Sequence, residues 1–256
     1  MTKRSYIILA TLSSLVLLGL WIGVSSSGLV RPIILPSPQS VLDSLVTMVL
    51  KGYSGVSLSD HFMASMTRVG IAFVGGSIIG IAIGLMRARS PAMDAVFLVP
   101  GEMLRPIPPL GLIPLFILWF GIGEASKILL IGLSVLLIMM VNSQAGARSV
   151  QTDLMRAAQT CGANQMQIFR HVIFPAALPQ IMTGLRVALG TALSILVASE
   201  LLGGDRGLGF VVLDAANFFR TSHVFAGVIL IGAIGLISDR CLAFIARRIV
   251  HWEGRR

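Results

Sequence analysis

Between residues 5 and 30 the chain carries no charged side chain, and further long apolar stretches recur up to residue 246. No other feature constrains the fold as strongly. A spanning helix needs roughly 20 mostly apolar residues, and a charge at the bilayer centre is costly. Only 12% of the residues are charged against 55% hydrophobic, and the mean hydropathy is +0.88. Soluble domains hold roughly 25% charged residues. The chain is read as an integral membrane protein with little room for a separate soluble domain.

Six spans are expected. The first is a retained helix at about 6–28, preceded by Lys3 and Arg4. Its apolar core is longer than the roughly 7 to 15 residues of a signal peptide, although "VSSS" could mimic a cleavage site. Residues 31–60 read as an extended external loop punctuated by Pro and Gly, with a short amphipathic piece inside it. The remaining spans fall at 61–86, 93–120, 128–147, 181–202 and 223–246. With both termini inside, one side holds Lys3, Arg4, Arg87, Arg89, Arg148, Arg156, Arg170, Arg240, Arg247, Arg248, Arg255 and Arg256. The other holds Arg31, Lys51, Lys127, Arg206 and Arg220, a division of twelve against five. Cytoplasmic loops collect Lys and Arg, so the richer side is placed in the cytoplasm. The same distribution accounts for the net charge of +9 without nucleic acid as a partner. Cys161 and Cys241 both fall on the cytoplasmic side, where a structural disulfide is not expected.

Two spans have internal character. Gly76, Gly80 and Gly84 recur every fourth residue and form one smooth helix face for close approach, within the chain or against a second copy. The third span contains "RPIPPLGLIP", whose Pro106, Pro108, Pro109 and Pro114 cannot sit in one continuous helix. Broken backbone at membrane depth is tolerated beside protein or a wet cavity. The segment is a candidate pore lining, or a kink that shapes the bundle.

Between the fourth and fifth spans lies the polar stretch "RAAQTCGANQMQIFRHVIFPAALP". Residues 153–160 predict a helix capped by Thr152 or Asp153. Gly162 supplies a left-handed C-terminal residue. Asn164 can cap a second short helix, which Pro175 is expected to end. Such a hairpin is an amphipathic connector on the membrane surface or a docking element for a cytoplasmic partner.

This segment resembles the coupling loop of ATP-binding-cassette import permeases, in which Glu-Ala-Ala, three residues, Gly, nine residues and Ile-x-Leu-Pro follow one another. Ala157, Ala158, Gly162 and Pro175 match in register, while Arg156 replaces Glu and Phe174 replaces Leu. "ILPSP", "SMTRVGIAF", "RPIPPL", "LWFGIGEASKILLI" and "ASELLGGDRGLGF" extend the resemblance to the nitrate/sulfonate/taurine branch, and "RAAQ", "RPIPPL" and "WFGIGEASKI" are most like its taurine permeases. The resemblance implies an all-α polytopic permease, a single domain over 1–256 with its core at about 61–246 and its coupling loop at 152–175. It implies contact with an ATPase through Arg156, Ala157, Ala158, Gly162, Ala163, Phe169 and Pro175. It also implies a pair of such chains in the plasma (inner) membrane, with a dimer of cytoplasmic ATPase subunits and an external substrate-binding protein.

No G-x-x-x-x-G-K-[ST] phosphate loop occurs, so no cofactor is expected on this chain and ATP would be bound by the partner. "GIGEASK" lacks a Gly before Lys127 and is assigned to an external loop. The four histidines have no metal-ligand spacing. A self-sufficient secondary transporter would show inverted repeats, which are not evident, and an intramembrane enzyme lacks a nucleophile or metal cluster. Ionisable and polar residues at membrane depth mark the candidate substrate path: Arg68, Arg105, Asn142, Thr191, Ser194 and Glu200. Glu102 and Arg105, three apart, are expected to pair. A structural or gating role is favoured for Glu200, and Arg186 is expected to snorkel or to anchor the hairpin. Asp239 and Arg240 are read as an interfacial pair.

Overall fold

The computed structural model describes residues 3–201 and 204–252. Leu202, at the end of the expected fifth span, and Arg255 and Arg256 of the charge count lie outside them. The described residues form α1 (Lys3–Ser26), α2 (Pro38–Lys51), α3 (Leu58–Arg89), α4 (Pro91–Leu104), α5 (Ile113–Phe120), α6 (Glu124–Arg148), α7 (Thr152–Thr160), α8 (Gln165–Ile168), α9 (Phe174–Leu201), α10 (Leu208–Asn217) and α11 (Thr221–Ile249). No strand occurs among them; the fold is all-α. Stretches in α1, α3, α6 and α11, and the run Gln165–Glu200, are long and apolar enough to cross a membrane. Pro91–Leu104 and Pro109–Phe120 are long and apolar enough only when taken together, as one segment bent by 88°.

That bend is the expected break in the third span. Pro106 and Pro108 offer no N–H to continue α4, and Pro108 is extended (φ −60°, ψ 124°), as a residue before proline prefers. A 3₁₀ turn, Pro109–Leu112, then leads into α5, where Pro114 sits in the first turn and costs no hydrogen bond. Other boundaries differ from expectation. Glu124–Lys127 is the first turn of α6 and not loop. The fifth span begins at Phe174, before the expected 181. Pro175 does not end the hairpin's second helix: a π turn, Phe169–Ile173, intervenes, Phe174 N–H bonds to Phe169 C=O, and Pro175 enters the first turn of α9.

The chain divides into two compact units, Met1–Met63 with Arg206–Gly232, and Ala64–Asp205 with Ala233–Arg256. In the first, one face of α2 buries Val41 and Met48 with Tyr53, Val211, Ala215 and Ala226. The Trp21 indole donates to Pro36 C=O at 3.0 Å. Fully buried His61 accepts the Gly207 N–H at Nδ1 and faces Tyr53 C=O with Nε2, which requires the Nε2–H tautomer. The exposed side of α1, including Leu12, Leu15 and Leu17, suits lipid. The residues after Gly207, outside every expected span, form α10.

The second unit is built on α6 against α9, with Leu130, Ile131, Val135, Met139, Ala188, Ala192 and Leu196 in its core. Helix α3 packs on α6 through the predicted glycine face. A Cβ added at Gly76 would lie 2.6 Å from Gly132 C=O, and one at Gly80 2.6 Å from Leu136 C=O; at Gly84 it would meet Met140 C=O. The repeat is therefore used inside the chain.

Candidate functional site

Three assemblies in the second unit carry the chemistry. The first is a cavity of about 350 Å³ bounded by the broken span, α6 and α9. Leu104, Ile107, Pro109, Leu137, Ile138, Val141 and Val187 make its walls largely apolar, with Arg105, Ser134, Asn142 and Thr191 as polar groups. The size lies within the usual range for small-ligand sites. Its existence depends on the proline break, which turns the chain aside after Leu104. The cavity brings together three of the predicted path residues: Arg105, Asn142 and Thr191. Asn142 donates to Ile138 C=O at 2.8 Å and accepts from Gln180 at 3.1 Å. Among the described residues no ion pair joins Arg105 to Glu102; both are exposed, and Arg105 caps the end of α4.

The second assembly lies at the start of α6 and the end of α9. Arg68, 4% exposed, donates from Nε and Nη2 to Glu124 at 2.5 and 2.6 Å, and from Nη1 to Glu200 at 2.5 Å. Ser65 donates to Glu200 at 2.8 Å, and buried Lys127 lies in the same first turn as Glu124. Arg68 and Glu200, predicted along the path, thus meet each other and do not line the cavity. A carboxylate on either side satisfies the guanidinium, which answers why a cation is carried so deep. Glu124 was missed because its motif read as an external turn. An unmatched Arg68 in an apolar run was the signal that a carboxylate had to exist elsewhere.

Ser194 joins neither group; its hydroxyl donates to Gly190 C=O on an exposed face of α9. That face also carries Gln180, Thr183 and Arg186, an unsuitable surface for lipid. Arg186 does not anchor the hairpin: it forms a two-pronged pair with Asp239 of α11 at 2.8 and 2.9 Å, so Asp239 is matched across helices and not by Arg240.

The third assembly is the hairpin with the helix ends beside it. Asp94, unremarked in the sequence, accepts from Arg87, Gln144 and Arg148 at 3.0, 2.8 and 2.7 Å and ties together the ends of α3, α4 and α6. Gln151, not Thr152 or Asp153, is the N-cap of α7, with no side-chain hydrogen bond. Gly162 has φ +79°; its N–H bonds to Gln159 C=O, and the Ala163 N–H to Ala158 C=O at 3.1 Å. This double closure is the Schellman arrangement. Asn164 and Gln167 complete a reciprocal capping box. Arg156 and Ala157 are exposed, and α7 buries no residue. Arg156 approaches Asp153 at 4.0 Å with both side chains in solvent, so the pair adds little. Phe169 lies under the Arg89 guanidinium at 5.6 Å. Pro175 borders a cleft of about 620 Å³ together with Gln151, Leu154, His171 and Trp252.

Residues 76–251 match the family described as binding-protein-dependent transport system inner membrane component. The chain is 41% identical over 240 residues, 93% of its length and 87% of the other, to the taurine transport system permease protein of Escherichia coli (strain K12). It is 34% identical to a putative aliphatic sulfonates transport permease protein of Bacillus subtilis, over 93% and 85% of the two chains. It is 32% identical to the nitrate import permease protein of a Synechocystis species, over 86% and 82%. An inward-facing structure of the MetNI methionine ABC transporter superposes with a TM-score of 0.64 at 17% identity, covering 75% of this chain and 95% of that one; the likeness is one of fold.

Proposed function

The chain belongs to the binding-protein-dependent inner membrane components, as the permease of an ATP-binding-cassette importer, and from that premise we propose that its cargo is a small alkanesulfonate, taurine foremost. The observation that carries the reading is a mechanical one. A single helix, α9, runs from the hairpin's π turn, through the cavity wall at Val187 and Thr191, to Glu200. A displacement of the hairpin is thereby delivered to the cavity and to the Arg68 cluster, as alternating access requires. The hairpin surface of Arg156, Ala157, Ala158, Gly162 and Ala163 is the ATPase contact; Phe169 and Pro175 join it to α9. ATP is bound and hydrolysed by a pair of cytoplasmic partner subunits.

In this reading the whole chain serves as one permease domain, paired with a second copy in the plasma (inner) membrane. Both termini and the hairpin lie in the cytoplasm, and an external binding protein delivers cargo on the opposite side. The identity to a taurine permease over nearly the whole chain supports the sulfonate assignment. Nitrate is the second reading, supported by the likeness to a nitrate import permease.

The test is reconstitution of the permease with its ATPase in proteoliposomes, with the binding protein supplied at the outer face. ATP-dependent accumulation of labelled taurine, with little nitrate uptake, is expected. Nitrate uptake without taurine uptake would establish the second reading, and ATP-independent flux of either would overturn the importer mechanism.

A further inference from the structure

Several cations reach membrane depth, and the structure treats them differently. Arg68 is held by Glu124 and Glu200, and Arg186 by Asp239. Arg105 lines the 350 Å³ cavity, and among the described residues no carboxylate lies within ion-pair distance of it. The other polar groups there are poorly placed to hold an anion. Ser134 and Thr191 direct their hydroxyl protons to the carbonyls of Leu130 and Val187, and Asn142 has one N–H on Ile138 C=O. The guanidinium therefore supplies most of the hydrogen-bond donors in the cavity, in a planar fork suited to a sulfonate. The surrounding walls are apolar and give a short carbon chain a surface to lie on.

We propose that Arg105 is the specificity-determining residue of the translocation cavity: it receives the anionic head of the cargo while the apolar wall takes its alkyl part. This rests on the sulfonate-importer reading and assigns that cargo its contact. A single cation, unsupported by a second donor cluster, gives a holding point that is weak enough for release. Arg105 still lies on the line of α4 (φ −59°, ψ −46°), and the break that follows it at Pro106 and Pro108 turns Ile107 and Pro109 into the same cavity wall.

The test uses charge rescue in the reconstituted permease–ATPase complex with binding protein. Cys161 and Cys241, both exposed, are first replaced by Ser, and uptake by this background is the reference for every later comparison. Arg105→Cys is then expected to lower sulfonate uptake at sub-saturating supply at least about tenfold, equivalent to about 1.4 kcal/mol. A trimethylammonium-bearing methanethiosulfonate, which restores a positive charge at the thiol, should recover most of the uptake. The sulfonate-bearing reagent of similar size should not. Reference-level uptake by unmodified Arg105→Cys, or equal recovery by the two reagents, would overturn the assignment. Failure of the cargo reading is seen separately: if the unsubstituted complex imports nitrate and no sulfonate, the same rescue measured with nitrate still decides the role of Arg105.

Discussion

Arg68 of α3 and Glu200 of α9 meet at 2.5 Å with 5% and 0% of their side chains exposed. Two elements far apart in sequence are joined by opposite charges withdrawn from water. Such a pair contributes less by forming than it costs when half removed, since the survivor is a buried uncompensated charge.

Glu200→Gln and Arg68→Met are accordingly expected to destabilise the protein by about 3–5 kcal/mol each. The double variant Arg68→Met/Glu200→Met should recover much of that loss. Glu124→Gln should cost under about 1 kcal/mol, because that carboxylate faces solvent and is screened; its side chain is 59% exposed. Thermal unfolding in detergent measures all four. Equal midpoints for wild type and both single variants would remove the structural role assigned to the pair.

The α3–α6 seam makes a steric prediction. Gly80→Ala places a methyl carbon against Leu136 C=O and Met139 Cβ, and forcing the helices apart is expected to cost about 1–3 kcal/mol. At Gly75, where a Cβ meets nothing within 4 Å, alanine should stabilise by up to about 1 kcal/mol through helix propensity. Opposite signs in the same unfolding assay support the seam; the same sign at both sites would contradict it.

At the hairpin the constraint is conformational. A Cβ at Gly162 meets no atom within 4 Å, so substitution there strains only the left-handed backbone, by roughly 1–2 kcal/mol. Gly162→Val is expected to lower uptake and ATPase association at unchanged membrane content, whereas Gly162→Asn, which tolerates that conformation, keeps most of both. Arg156→Ala should leave stability within about 0.5 kcal/mol of wild type, so any effect on ATPase association reports the contact itself. Arg156→Glu should weaken association more than Arg156→Gln does. Uptake by Gly162→Val at the wild-type level would dismiss the docking role.

Tyr53 is buried. Burial, reinforced by the hydrogen bond its hydroxyl donates to Asp214 at 2.8 Å, pushes the phenol from 10.0 up to about 12. The protonated ring is the form favoured by the fold, so this stabilisation is complete below about pH 10 and disappears as pH rises from about 10 to about 12. In a Tyr6→Phe background, which leaves one tyrosine, tyrosinate absorbance should appear near the upper value. Replacing Asp214 by Asn should move it downward; ionisation near 10 in the parent would show the phenol to be solvated.

The number and placement of the spans, the break among the prolines, the close-approach face of α3 and the Gly162 turn were legible in the sequence. Each depends on local quantities: hydropathy over a helix length, a missing N–H, the absence of a Cβ. The caps were less legible, since Gln151 took a role that Thr152 or Asp153 could equally have filled. The first turn of α6 and the whole of α10 were hidden by neighbouring glycines, whose turn signal outweighed the short apolar pattern between them.

Partnership could not be read along the chain. The expected neighbour pairs Glu102–Arg105 and Asp239–Arg240 gave way to Arg186–Asp239, and Arg68 found its carboxylates on α6 and α9. A charge in an apolar helix announces that it needs a counter-charge. Which one it receives is decided by helix packing, because the cost of burial is relieved only by a group brought within a few ångströms in space. The same packing left Arg105 facing the cavity and closed Arg68 away from it, although the two guanidinium groups are chemically identical.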